Sequence, residues 1–151
     1  MNDLKDLWGE ISQAKVLRTP YVILKEQASQ LNQKTQGLLL GEVYKSIKQN
    51  QFKASLSEQI NPKKSRHQEQ FVNILRIKAP SLNNYTYSVV QVEYPIALYP
   101  VKVEGFAVEG FLRMCNNEDE FEQALGEILS SEEVRKVISI LLAQIQADLT
   151  E

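Results

Sequence analysis

The chain has 151 residues, 43% of them apolar and 24% charged, with a formal net charge of −2. That size and balance describe one domain over residues 1–151, with a core of its own, and exclude a disordered, collagen-like or disulfide-stapled chain. A single cysteine, Cys115, and a single histidine, His67, exclude an intrachain disulfide and a zinc site built from Cys and His.

The apolar runs are far shorter than the roughly 20 residues a spanning helix needs. The polar, acidic start of the chain carries no secretory pattern. The sequence therefore reads as soluble and cytoplasmic, with no membrane partner. Charge is unevenly spread. Residues 1–44 are balanced, residues 45–78 carry a net +6, and residues 79–151 carry a net −8. Such a dipolar distribution bears on association rather than on fold.

In chain order, Leu4, Leu7, Trp8, Ile11 and Ala14 recur at helical spacing, with Asp3, Asp6 and Glu10 off that face, which predicts a helix over about 2–15. Thr19-Pro20 is a capping residue followed by proline at the first helical position, and Gly37 is a stop, so a second helix is predicted over about 20–35. The texture then becomes strand-like. Val43–Ile47 is followed by a turn at 49–51 and by Phe52–Leu56, where apolar and polar residues alternate. Residues 61–67 form a polar loop. Phe71–Ile77 and Tyr85–Tyr94 read as strands around turn formers at 80–84, and Ile96–Val103 reads as a fifth strand broken by Pro100. Asn117 caps a helix whose first turn is acidic. Ser130 and Glu133 match the capping-box spacing ahead of a last, strongly apolar helix. The predicted fold is α+β: four or five mostly antiparallel strands, with two N-terminal and two C-terminal helices on one face.

No catalytic set assembles from these residues. His67 sits among Lys63, Lys64 and Arg66 with no orienting carboxylate. Cys115 precedes a helix start, but Glu118, Asp119 and Glu120 oppose a thiolate there, so it reads as a small apolar filler. Glu42, Glu93 and Glu104 fall on separate strands without metal-nuclease spacing, and the glycines match neither a P-loop nor a dinucleotide pattern. No metal ligand set and no cofactor are expected, and the balance is against an enzyme. Lys63, Lys64 and Arg66 are candidate phosphate contacts, but the acidic tail argues against nucleic acid as a general partner.

Tyrosine is the unusual signal. Tyr85 and Tyr87 share a strand face by the two-residue period, and Tyr94-Pro95 and Tyr99-Pro100 recur five residues apart. Tyrosine joins a large apolar area to a polar tip, which suits interfaces. Ile140 exceeds what the core stripe of the last helix requires, which suits a homodimer contact. The sequence thus points to an interaction or regulatory protein. Its candidate partner-binding residues are Tyr85, Tyr87, Tyr94, Tyr99 and Ile140, on a proline-marked sheet edge and the C-terminal helix. A small-molecule sensor or enzyme, with Glu93, Glu104 and the tyrosines turned into a pocket between sheet and helices, is the alternative. Nucleic-acid contact through the loop 62–67 is the third reading.

Overall fold

The computed structural model describes residues 4–11, 17–48 and 69–149. The element order is α1 (Pro20–Lys34), β1 (Leu40–Lys48), β2 (Gln70–Ala79), a 3-10 turn (Pro80–Leu82), β3 (Tyr85–Tyr94), β4 (Val101–Gly105), β5 (Phe111–Cys115), α2 (Glu118–Leu129) and α3 (Glu132–Leu149). The five strands pair antiparallel in the order β1-β2-β3-β4-β5, a meander without crossovers. Among the described residues, the three helices pack on the face that carries Leu75, Ile77 and Val89.

The helix ends follow their sequence signals. Thr19 Oγ1 accepts the Val22 N–H at 3.1 Å, with Pro20 behind it. At the other end of α1, Gln36 and Gly37 both take positive φ, 54° and 82°, and their N–H groups return to the carbonyls of Gln33 and Asn32. This double return satisfies carbonyls the helix itself leaves free. Asn117 Oδ1 accepts the Glu120 N–H at 2.9 Å, and Glu120 Oε1 reaches back to the Asn116 N–H. The α3 cap is one residue later than the sequence spacing implied: Ser131, not Ser130, accepts the Val134 N–H, while the Ser130 hydroxyl returns to the Gly126 carbonyl of α2.

Two further expectations are corrected. Residues 4–11, the described part of the first predicted helix, form no helix, so among the described residues one N-terminal helix stands where two were predicted. A helix this short is marginal in water without a packing surface, and Gly9 interrupts it at φ +69°. The fifth predicted strand begins only at Val101, and a further strand, β5, follows it. Phe52–Leu56 lies outside the described residues.

The core forms where the helices meet the sheet. α1 lies over β1, and α2 lies over β3, β4 and β5. Ile23, Leu24 and Ala28 of α1 and Phe121, Leu125 and Ile128 of α2 are buried against Leu75, Ile77, Val90, Val92 and Val103. Glycine permits both close approaches. A Cβ on Gly105 would meet Ile128 at 3.1 Å, and one on Gly41 would lie 2.5 Å from the Ala28 Cα and 2.9 Å from its carbonyl oxygen. The second overlap is with backbone, which no rotamer change relieves. Gly41→Ala is therefore expected to destabilise the fold by about 3 kcal/mol or more, the upper range for overpacking. Urea unfolding of the two proteins measures it.

Candidate functional site

Because α1 sits on β1 while α2 sits on the far strands, the helical layer parts above β2 and β3. The opening is a groove of about 660 Å³ floored by Leu75, Ile77 and Val89 and walled by Leu31 of α1 and Ile138 of α3. Three basic side chains, Arg18, Lys34 and Arg135, line it together with Glu122, while Arg76, between two floor residues, turns its guanidinium to the opposite sheet face. Arg18 is the polar link across this gap. Its guanidinium meets Glu26 of α1 at 2.7 Å, Glu118 of α2 at 3.4 Å, and Glu122 of α2. These groups are solvent-exposed, so the link orients more than it stabilises. The Arg18 hydrogen bond holds the Glu26 carboxyl below its ordinary range.

A second groove, about 360 Å³, opens between the start of β3 and α3. Leu82, Tyr85, Tyr87, Val137, Ile140, Leu141 and Gln144 line it. Tyr85, 48% exposed, and Ile140, 46% exposed, stand at its surface, while Tyr87 is half-buried against the core. The turn Pro80–Asn84 aims β3 into this position. Asn83 and Asn84 both adopt left-handed φ of 58°, which asparagine tolerates better than most residues. The structure thus brings three of the five sequence-nominated residues into one groove.

It separates the other two. β3 is the central strand, so the tyrosine-proline pairs mark no sheet edge; they bracket the β3–β4 connection, and the edges are β1 and β5. Tyr94 is 6% exposed, with its ring 5.7 Å from that of Phe71. Its hydroxyl donates to Asn73 Oδ1 at 2.7 Å, and Asn73 Nδ2 donates to the Val72 carbonyl. Burial pushes the Tyr94 phenol up, against the pull of the Asn73 bond. Tyr99 is half-buried, precedes a cis peptide to Pro100, and has a buried hydroxyl without a hydrogen-bond partner among the described residues. Burial, then Glu118 and Glu122, raise its pKa.

Neither groove is lined by Glu93 or Glu104. By register, both project from the sheet face opposite the helices, together with Glu42, Tyr44, Leu112 and Met114. Glu93 is nearly buried there, with Lys48 Nζ at 3.4 Å and Gln91 Nε2 at 3.1 Å. Glu42 stands across from Arg76, whose guanidinium lies 3.9 Å over the Tyr44 ring instead of pairing with the carboxylate. No group of three His, Cys, Asp or Glu among the described residues is arranged to hold a metal ion. No described helix is long and apolar enough to cross a membrane. Lys63, Lys64, Arg66 and His67 lie outside the described residues.

Cys115 is fully buried at the end of β5, its thiol 3.5 Å from the Glu120 carbonyl. Burial pushes the thiol up, and nearby Arg113 only partly offsets it. The packing is that of an apolar filler.

No protein-family model, curated protein or solved structure matches this chain.

The buried groups give two expectations. Tyr94→Phe leaves Asn73 Oδ1 without its donor in a dry site and should cost about 1–2 kcal/mol in urea unfolding. Cys115, Tyr94 and Tyr99 all hold their protons more tightly folded than unfolded. Their contribution is complete below the unfolded pKa values and lost as pH rises through the folded ones. The urea midpoint should therefore fall as pH climbs above about 8.5, where an unfolded thiol ionises; a midpoint flat from neutral pH into the tyrosine range contradicts that burial.

Proposed function

We propose that this protein acts by holding another protein, through the groove between β3 and α3. The observation that carries the reading is the convergence of Tyr85, Tyr87 and Ile140, from elements more than fifty positions apart in the chain, on one open, mostly apolar surface. A pair of tyrosine rings beside aliphatic side chains buries large area at low entropic cost, and their hydroxyls meet polar groups of the partner. Gln144 adds an amide able to donate and accept at the rim. The partner that suits such a surface is an amphipathic helix, its apolar ridge in the groove and its polar flanks against these tips. Tyr94 belongs to the scaffold in this reading, not to the contact.

A photo-crosslinking residue in place of Ile140 tests this. The protein captured from the source cell is identified, purified and titrated against the unmodified chain. Tyr85→Ala and Ile140→Ser alter exposed positions and should leave the fold intact while weakening that titration by about tenfold or more each. Unchanged affinity in both variants rejects the groove as the contact, and capture of a small molecule alone rejects the reading.

A further inference from the structure

Residues 4–11 are left unexplained by that groove. Leu4, Leu7, Trp8 and Ile11 are 87%, 87%, 82% and 69% exposed, and the segment's hydrogen bond is local, Trp8 N–H to Asp6 Oδ1 at 3.0 Å. Single exposed apolar residues are ordinary, but four large ones within eight positions are not. Their i, i+3, i+4, i+7 spacing is the anchor set of a helix laid into an apolar groove.

The groove between α1 and α2–α3 has the complementary character. Leu31, Ile77 and Ile138 give it an apolar interior, and its volume of about 660 Å³ lies within the roughly 300–1,000 Å³ typical of sites that enclose a ligand. Its basic side chains, Arg18, Lys34 and Arg135, exceed its one acidic side chain, Glu122, by two charges. The segment carries a net negative charge, with Asp6 and Glu10 against Lys5. Its charges also fall off the apolar stripe, where they meet a rim rather than a floor. The chain enters this groove at Arg18, yet in the single chain the segment stands away from it with all four anchors in solvent.

We infer that the protein self-associates by segment exchange, residues 4–11 of one copy seating Leu4, Leu7, Trp8 and Ile11 in the α1–α2 groove of a second copy. Each copy carries one segment and one groove, so the exchange is reciprocal and closes as a two-fold dimer. The groove supplies the packing surface that an eight-residue helix lacks alone, and Gly9 gives up its left-handed conformation as the helix winds. This is independent of the β3–α3 groove, which remains open in the dimer.

Trp8 is the only tryptophan in the chain, so its emission reports docking directly. The intact protein is followed over a dilution series by light scattering, by Trp8 emission and by acrylamide quenching. At high concentration a dimer mass should accompany blue-shifted, quencher-protected emission, and all three signals should revert with one midpoint. Trp8→Ser alters a side chain outside the core and should weaken dimerisation about tenfold or more. Arg135→Glu, on the exposed first turn of α3, should weaken it as well, and so should added salt. A monomer mass at every concentration overturns the inference, whether Trp8 is open to quencher or protected in its own groove. So does a dimer unaffected by Trp8→Ser.

Discussion

The approach of Ala28 to Gly41 decides where α1 lies. With no side chain at position 41, the helix backbone settles against β1 more closely than any other residue allows. Two polar ties hold it there. Asn32 Oδ1 accepts the Gly41 N–H at 2.8 Å, and the Thr35 hydroxyl accepts the Leu39 N–H while facing the carbonyls of Leu31 and Leu39. The last turn of α1 and the first residues of β1 are thereby one unit. At the other end, Tyr21 lies under the Lys45 ammonium at 4.5 Å, which fixes the helix along the strand.

An α1 held to the β1 side cannot also cover the middle of the sheet. α2 is anchored on the opposite side, by Ile128 against Gly105 and by the ion pair of Arg113 with Glu127. Arg18 spans the interval but does not fill it. The large groove is thus the consequence of two glycine-permitted contacts at opposite sides of one sheet. The smaller groove has another origin. A register shift between Leu75 and Arg76 inserts Val89 into β3, and Val89 and Val90 are buried in succession. The bulge carries Tyr87 to the helix face together with Val90, Val92 and Tyr94, although strict alternation sends Tyr87 and Tyr94 to opposite faces.

What the sequence revealed and what it concealed divide along this line. The caps at Thr19 and Asn117, the turn at Pro80–Asn84, the strands on either side of it and the α+β class are local signals, carried by hydrogen bonds within a few residues. Residues 4–11 had the periodicity of a helix but no partner surface, and periodicity alone does not offset the entropy of winding a short segment. β5 went unread because Leu112 and Met114 are apolar on the open face, which erases the alternation that marks a half-covered strand. The tyrosine cluster was visible, but its division into a groove pair, a core residue and a half-buried ring depended on the Val89 bulge and on the path of α3. Neither leaves a trace in spacing.

The unbroken meander also shapes how the chain finds its structure. Every strand pairs with the one before it, so most sheet contacts join residues close in sequence, and low contact order favours rapid folding. The connections from β2 to β5 are tight, while the stretch from Lys48 to Gln70 is several times longer. Closing β1 onto β2 is the one step that must gather a long stretch of chain. The pairing of β1 with β2 is thus the least local step of the sheet, and the only one in the meander whose partners are not drawn together by a short turn.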